Sequence, residues 1–211
     1  MSEIVTPLMI DLDKKNIVIV GGGSIAERRI RSLLESGGLL TVISPTIGEG
    51  IQKLWQTAQL TWKKKRFEAV DLADAFLIIA ATNDPTVNEL VVHHSPQDAL
   101  LNVAAQAEKG NIHFPAHFKQ GKLSISISTD GASPMLAAKI KDNLHTVYDE
   151  NYGDYVDFLN ESRKLIKHSL LDKSTQSLLL KELLAESFMD EQKQTKTIAW
   201  LEKLSGKDRV G

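Results

Sequence analysis

Short apolar runs alternate with amphipathic stretches over the first half of the chain. Residues 16–20 (NIVIV) are bounded by charged residues before and by three glycines after, which is typical of a buried parallel strand. A helix is predicted next, because apolar residues recur at helical spacing at Ile25, Ala26, Ile30, Leu33 and Leu34. Gly37-Gly38 then give a stop signal, and residues 39–44 form a second apolar run. This strand, glycine turn, helix and strand unit suits a right-handed crossover.

The same alternation continues to about residue 104. It predicts a helix over residues 47–58, a more polar strand over 61–67 and a fourth strand over 75–81. A short helix over 86–93 and a fifth strand over 100–104 follow. Strands that alternate with helices indicate the α/β class, with a Rossmann-type doubly wound parallel sheet. We assign this nucleotide-binding domain to residues 1–111.

The pattern changes after Gly110. Residues 122–128 alternate strictly between apolar residues and serines, and with residues 111–118 they predict a β-hairpin. Ser133-Pro134 predicts a helix start, and its apolar stripe is Leu136, Ile140, Leu144 and Val147. We predict a small α+β region over residues 112–150 and a helical domain over 151–211, where only leucine-rich helical stripes recur.

Composition narrows the class of protein. The absence of cysteine excludes disulfides, thiolate catalysis and iron–sulfur clusters. The net charge of −2 gives no electrostatic footprint for nucleic acid. No apolar run reaches the roughly 20 residues that span a bilayer, and residues 1–12 lack the features of a secretion signal. We therefore expect a cytoplasmic protein with no nucleic-acid or membrane partner.

The sequence assigns no metal site. Without cysteine, a metal would need histidine, carboxylate or substrate nitrogen ligands. His113 and His117 have the spacing of a helical metal pair, but Pro115 between them opposes a helix. In an extended segment they would lie about 13 Å apart, too far to share one ion.

The glycine triplet is the first candidate binding feature. Gly21-Gly22-Gly23-Ser24-Ile25-Ala26 fits the pattern G-x-G-x-x-A. In that pattern the first glycine turns tightly, the second lets a diphosphate approach the backbone, and the alanine lets helix and strand pack closely. Free amides at the helix start then face the phosphates. Nucleotide binding is our prediction, and a purely structural turn is the alternative.

The ends of the second and fourth strands complete the predicted cofactor edge. Where an acidic residue commonly binds the ribose hydroxyls, this chain has Ser44-Pro45-Thr46. Their hydroxyls can contact ribose or phosphate, and no arginine follows closely, so we predict NAD rather than NADP. Thr82-Asn83-Asp84 follows the fourth strand, at the edge where ligands dock in such sheets. A polar cap that ends the strand is the alternative for this segment.

Two basic clusters have two interpretations each. We interpret the run from Lys63 to Arg66 as charges that protect an edge strand, with a phosphate or nucleic-acid patch as the alternative. Arg28 and Arg29 lie on the first predicted helix. They either bind carboxylates of a ligand, which arginine holds in a planar fork, or lie on a solvated helix face.

Five motifs together resemble one protein family. They are GGGSIAERR (21–29), AFLIIAATNDPTVN (75–88), LLNVA (100–104), GNIHFPA (110–116) and SISTDGASPMLA (126–137). In this order they resemble the precorrin-2 dehydrogenase family of sirohaem and cobalamin biosynthesis. That family includes stand-alone dehydrogenases and bifunctional dehydrogenase/ferrochelatases. Some relatives carry a fused methyltransferase domain, and none of the five motifs belongs to it.

The resemblance implies an activity, an assembly and a set of site residues. NAD would accept a hydride from precorrin-2, giving sirohydrochlorin and NADH. A homodimer would form through the hairpin region and the helix after Ser133-Pro134. By position, the cofactor would be bound by the glycine loop and the strand ends, at Gly21, Gly22, Gly23, Ser24, Ile25, Ser44, Pro45, Thr46, Thr82 and Asn83. Asn102 would face the substrate cleft.

One departure from the family concerns catalysis. The family commonly has an aspartate where this chain has Ala105, and that aspartate is implicated in dehydrogenation and metal insertion. A methyl group can neither accept a proton nor bind a metal. We therefore expect dehydrogenase activity with little or no chelatase. His113 and Ser124 are the local polar candidates for orienting the substrate, and a solvent-facing strand serine is the alternative for Ser124.

Two rival functions stay open at this point. One is a bifunctional dehydrogenase/ferrochelatase that works without the carboxylate. The other is a non-enzymatic module that binds NAD and signals through its helical tail. The hairpin and helical domain exceed what cofactor binding alone requires, which favours the enzyme.

Overall fold

The computed structural model describes residues 5–206. The chain divides into two compact units, Met1–Phe114 and Pro115–Gly211. In the first unit the strands form one parallel sheet in the order β3-β2-β1-β4-β5. The strands are β1 (Asn16–Val20), β2 (Leu39–Ile43), β3 (Thr61–Lys63), β4 (Leu77–Ala80) and β5 (Leu100–Val103). The intervening helices are α1 (Ser24–Leu33), α2 (Glu49–Gln56) and α3 (Pro85–His94).

Helices cover both faces of this sheet, which explains why the central strands are apolar throughout. On one face the strands pack against α1 and α2, represented by the fully buried Ile30 and Ile51. On the other face they pack against α3, represented by Val91, and against Leu72. Strands that are buried on both sides read as continuous hydrophobic runs. The predicted Rossmann-type doubly wound architecture is confirmed.

The third strand is shorter than predicted. β3 ends at Lys63 instead of reaching residue 67, because the Lys65 amide donates to the Lys63 carbonyl at 2.8 Å and turns the chain. Phe67 then packs against the α3 side of the sheet. The predicted edge position is confirmed, since β3 is the outermost strand beside β2.

The segment after β5 belongs to the first unit. The Asn111 side chain accepts from the Leu101 amide at 2.6 Å, and the Asn102 side chain donates to the Ile112 carbonyl at 3.1 Å. Residues 110–114 are thereby tied to β5, so the predicted hairpin strand over 111–118 is wrong at its start. The predicted domain boundary after residue 111 falls inside this unit, which ends before Pro115.

Between residues 115 and 206, the second unit contains a hairpin and four α-helices. The hairpin pairs β6 (Ala116–Gln120) with β7 (Leu123–Ile127) through a tight loop that begins at Gly121, whose φ is +54°. The helices are α4 (Pro134–Val147), α5 (Glu150–His168), α6 (Lys173–Glu182) and α7 (Glu191–Ser205). Ser133 caps α4 as predicted, since its hydroxyl accepts from the Leu136 amide at 3.2 Å.

The predicted C-terminal helical stripes form a core of their own. Its buried members come from α5, α7 and the segments around α6, at Tyr155, Phe158, Leu165, Ile166, Leu183, Phe188 and Leu201. The Tyr155 hydroxyl donates to the Leu183 carbonyl at 2.8 Å, so the one polar atom of this buried ring is satisfied. Burial raises the pKa of that hydroxyl above its usual value, so it stays a neutral donor at physiological pH.

Asp172, the N-cap of α6, predicts an acid-dependent loss of stability. Hydrogen bonds from the hydroxyls of Ser174 and Thr175, at 2.6 Å each, and from their amides lower the pKa of this carboxyl. Because the folded-state pKa lies below the unfolded value of about 3.9, its stabilisation is full above that pH and declines as pH falls further. Asp172→Asn should therefore be less stable than the wild type at pH 7, with a smaller difference near pH 3.

Urea unfolding followed by circular dichroism at the two pH values measures this difference. Ser174→Ala, which removes one donor and leaves the carboxylate, should show an intermediate pH dependence. Equal shifts of the wild type and Asp172→Asn between the two pH values would contradict the assignment to Asp172.

Candidate functional site

The glycine turn after β1 is packed between the ends of two neighbouring strands. Gly21 has a φ of +126°, and a Cβ placed there would overlap the carbonyl oxygen of Ala81, just beyond β4. A Cβ at Gly22 would overlap the carbonyl oxygen of Thr46, beyond β2. Both positions therefore require glycine for packing reasons alone. The Gly48 amide donates to the Gly22 carbonyl at 2.9 Å and holds the turn against the segment after β2.

Gly23 has a different environment from the two glycines before it. A Cβ there would meet nothing within 4 Å, and its backbone is extended, with φ −90° and ψ −170°. Gly23 is the N-cap of α1, and no side chain caps this helix start. The first amides of α1 are thus left for an incoming anion, beside open space at Gly23. This combination fits a dinucleotide diphosphate.

The residues after β2 divide into one buried and two exposed positions. Ser44 is only 8% exposed, and its carbonyl accepts from the Trp62 indole nitrogen at 2.9 Å. Its hydroxyl oxygen lies 3.0 Å from where a Gly22 Cβ would stand, so Ser44 is packed close to the glycine turn. Pro45 and Thr46 are exposed at the carboxyl edge of the sheet. Of the three predicted residues, these two are available to a ribose.

The segment after β4 contains a polar network that sequence reasoning did not find. The Thr82 hydroxyl donates to Asn88 Oδ1 at 2.9 Å, and Asn88 Nδ2 donates to the Thr82 carbonyl at 3.1 Å. The Asp84 carboxylate accepts from the Thr86 amide at 2.9 Å and caps α3. Asp84 thus caps the start of α3, and Thr82 shapes the turn that precedes that helix. Asn83 and Asp84 are both exposed, and Asn83 is the one that does not cap α3.

Asn88 could have been suspected from the sequence. It is a polar residue between Val87 and Val91 on the face that α3 buries, and a buried side-chain amide needs partners for its polar atoms. The neighbouring strand end supplies them, because Thr82 offers both a hydroxyl and a carbonyl.

Two predicted catalytic positions lie on and after β5. Ala105 is in an exposed bend directly after the strand, at the same sheet edge as the glycine turn. Asn102 is 3% exposed rather than open to solvent, because its amide donates to the Ile112 carbonyl of the segment that covers it. Its Oδ1 atom is buried and has no hydrogen-bond partner among the described residues. Asn102 therefore holds the covering segment in place.

The two other predicted catalytic residues lie in different units. His113 is exposed in the first unit, and Ser124 lies on β7 in the second. The Ser124 hydroxyl is 2.9 Å from Nε2 of His117, a residue that sequence reasoning did not pair with it. The hairpin register contains the signal: His117 is opposite Ser126, so Ser124 is its diagonal neighbour on one face.

The two arginines of α1 have separate environments. Arg28 is exposed, whereas the Arg29 guanidinium stacks 4.5 Å from the centre of the Phe114 ring. Burial, and secondly the charge of Arg28, lower the pKa of Arg29. Only Arg28 therefore lies on the solvated face of the helix.

Between residues 5 and 206, no helix is both long enough and apolar enough to cross a bilayer. In the same residues, no group of three histidine, aspartate or glutamate side chains is placed to hold a metal ion.

Three protein-family models match successive parts of the chain. A family described as putative NAD(P)-binding matches residues 8–116. The central domain of sirohaem biosynthesis proteins matches residues 120–145, and the SirC C-terminal domain matches residues 152–197.

Individual relatives agree with these models. The chain is 42% identical to a precorrin-2 dehydrogenase of Priestia megaterium, over 86% of the chain and 90% of that protein. It is 36% identical to a precorrin-2 dehydrogenase of Bacillus subtilis (strain 168), over 73% and 93%. The solved structure of SirC, precorrin-2 dehydrogenase, superposes with a TM-score of 0.84 at 40% identity, covering 94% of this chain and all of that one. The chain therefore belongs to the precorrin-2 dehydrogenase family.

Proposed function

We propose that this chain oxidises precorrin-2 to sirohydrochlorin, with NAD as the hydride acceptor. The observation that carries the proposal is the open space at Gly23, beside the uncapped start of α1, in a chain that is 42% identical to a precorrin-2 dehydrogenase. An open anion site at this place in a Rossmann-type sheet suits a dinucleotide diphosphate.

Different residues at the carboxyl edge of the sheet bind different parts of the cofactor. The amides that begin α1, at Ser24 and Ile25, bind the diphosphate, and Pro45 and Thr46 are exposed beside the place of the adenosine ribose. Asn83 contributes an exposed amide from the end of β4. These contacts hold the cofactor so that one face is presented to the substrate.

The reaction removes a hydride and a proton from precorrin-2. NAD, when bound, supplies the hydride acceptor, and the proton leaves to water or a weak base. Loss of these two hydrogens extends the conjugation of the macrocycle, and the greater stability of the conjugated product favours the oxidation. The protein then contributes mainly by keeping the ring carbon and the cofactor in contact.

A direct assay tests this function. Purified protein is mixed with precorrin-2 and NAD, and the absorbance of NADH and of sirohydrochlorin is followed. We expect both to rise together. NAD binding without NADH formation would contradict the enzyme and favour a regulatory NAD-binding module.

We also propose little or no ferrochelatase activity. Metal insertion requires the pyrrole protons to leave as the ion enters, and the methyl group of Ala105 can neither accept a proton nor hold a metal. Mixing the protein with sirohydrochlorin and Fe²⁺ or Co²⁺ should give insertion at the spontaneous rate only. Faster insertion would support the bifunctional alternative.

Placing a carboxylate at position 105 should add chelatase activity. Ala105 lies in an exposed bend, so Ala105→Asp should change the free energy of unfolding by only about 0.5 kcal/mol. We expect metal insertion above the spontaneous rate for Ala105→Asp. Ala105→Asn, which has the same size and no basic carboxylate, is the matched control. Equal insertion rates for the two variants would show that the carboxylate is not responsible.

We propose a homodimer formed through the hairpin and α4. Residues of α4 support it, since Met135, Leu136 and Val147 are 85%, 49% and 63% exposed. Apolar side chains along one exposed helix suit a second copy of the chain. Leu136→Glu combined with Val147→Glu should lower the mass measured by light scattering towards that of a monomer. Leu178→Glu, at an exposed leucine of α6, should leave the mass unchanged. A monomeric wild type would contradict the proposal.

A further inference from the structure

The basic run after β3 lies at the same sheet edge as the residues after β2. β2 and β3 are parallel, with Ile43 opposite Lys63, and the Ser44 amide donates to the Lys63 carbonyl at 3.4 Å. Lys64 is the next residue along the chain. The pairing therefore brings Lys64 beside Ser44 at the carboxyl edge, although the two are distant in sequence.

Two lysines of the run are neutralised by acidic neighbours. Asp71, whose side chain is buried, pairs with Lys63 at 3.7 Å and with Lys65 at 3.1 Å. Glu68 pairs with Lys65 at 2.8 Å, and the hydrogen bonds that Lys65 donates to Glu68 and Asp71 raise its pKa. No carboxylate pairs with Lys64 anywhere in residues 5–206, so its positive charge is not balanced by a neighbour.

The Lys64 ammonium packs on the side chain of Trp62. The Lys64 ammonium is 5.7 Å from the centre of the Trp62 ring, a cation–π distance. The same indole donates to the Ser44 carbonyl at 2.9 Å and packs edge-to-face on Trp55, 5.2 Å between ring centres. The ring that holds the ammonium is thus bonded to the first residue after β2. The Ser44 hydroxyl oxygen in turn lies 3.0 Å from where a Cβ on Gly22 would stand.

The end of β2 decides which dinucleotide a Rossmann-type sheet accepts. An acidic residue there binds the ribose 2′-hydroxyl and repels a 2′-phosphate, whereas a nearby cation accommodates that phosphate. This chain has Ser44, Pro45 and Thr46 at that position. The first acidic residue after Thr46 is Glu49, which lies inside α2. The repulsive element that would exclude NADP is therefore missing, and a cation is present.

We infer that the cofactor site binds NADP as well as NAD, and that Lys64 is the residue that attracts the 2′-phosphate. The inference rests on the proposed dinucleotide site and extends its ligand class. Sequence reasoning favoured NAD because no arginine follows Thr46 closely. The structure instead offers Lys64, which follows the neighbouring strand β3. From the sequence alone, the run from Lys63 to Arg66 is interpreted as protection of the sheet edge.

Calorimetry with matched nucleotides tests the inference. Wild-type protein is titrated with NAD, NADP, 5′-AMP and adenosine 2′,5′-bisphosphate. We expect all four to bind, with the bisphosphate at least as tight as 5′-AMP and its advantage reduced by added salt. Lys64→Gln should weaken NADP and the bisphosphate about fivefold to twentyfold and change NAD by less than about twofold, because only the 2′-phosphate contact is lost. Lys64→Arg should keep the affinity for NADP.

Lys15→Gln is the matched control. Lys15 also packs on an aromatic ring, 5.1 Å from the centre of Phe76, but at the opposite, amino edge of the sheet. It should change neither NAD nor NADP binding. Binding of NAD with no binding of NADP or the bisphosphate would overturn the inference and leave the proposed function standing. Equal weakening of NAD and NADP by Lys64→Gln would also overturn it. Failure of the wild type to bind any of the four would overturn the proposed function too.

Discussion

Gly23→Ala should weaken NAD binding at least about tenfold while the protein stays folded. The added methyl would occupy the open space where the diphosphate approaches the backbone, yet it would touch no atom of the protein within 4 Å. Its backbone angles are accessible to alanine, so the cost is that of a poorer N-cap, about 1 kcal/mol or less. Calorimetry with NAD and a thermal unfolding curve measure the two effects separately.

Gly48→Ala provides the control for this change. Gly48 is the N-cap of α2, as Gly23 is of α1, and the nearest atom to its added methyl would be at an ordinary contact distance of 3.6 Å. It should have a similar effect on stability and a much smaller effect on NAD affinity. Unchanged NAD binding by Gly23→Ala would mean that the diphosphate does not dock at this turn.

Gly21→Ala should cause the largest loss of stability of any single methyl addition in this turn. Its φ of +126° is strained for alanine, and the methyl would overlap the backbone carbonyl of Ala81, which cannot rotate away. The two effects together should lower the free energy of unfolding of the first unit by about 3 kcal/mol or more. In a Trp200→Phe background, which removes the tryptophan of the second unit, urea unfolding followed by the fluorescence of Trp55 and Trp62 reports on this unit.

Gly37→Ala separates strain from overlap. Gly37 also has a positive φ, +74°, but its methyl would meet mainly the Asp13 side chain, which can move. A cost of about 1 kcal/mol is expected there. If Gly21→Ala lowered the free energy of unfolding no more than Gly37→Ala does, this would contradict the close packing of the turn against the Ala81 carbonyl.

The features that sequence predicted best depend on neighbours along the chain. The bounds of β1 were predicted correctly because charged residues and glycines flank a β-branched run. The N-cap at Ser133 and the left-handed Gly37, which ends the short helical turn after α1, also follow from local chemistry. The helical core of the second unit follows from the spacing of its leucines and aromatic residues.

The features that sequence missed depend on particular hydrogen bonds and ion pairs made by polar side chains. β3 ends early because the chain turns at Lys65, where Asp71 binds two lysine side chains. Residues 110–114 stay with the first unit because the Asn111 side chain bonds the backbone of β5. Propensity and periodicity cannot report such pairings.

The candidate site shows the same division. The glycine pattern located the turn that we propose to bind the diphosphate, since its residues are consecutive. The pattern could not show that Ser44 is buried while Pro45 and Thr46 are exposed, because Trp62 from the neighbouring strand binds the Ser44 carbonyl. Nor could it pair Ser124 with His117, which depends on the register of the hairpin.

The close fit of Gly21 and Gly22 against neighbouring carbonyl groups has a consequence for the energetics of association. A loop that is clamped on both sides has lost its conformational freedom during folding, so a nucleotide that arrives does not have to order it. Affinity then depends on the attraction between amides and phosphates, with little entropic penalty from the polypeptide. The rate of capture should accordingly be set by diffusion and orientation, without a slow rearrangement of this loop.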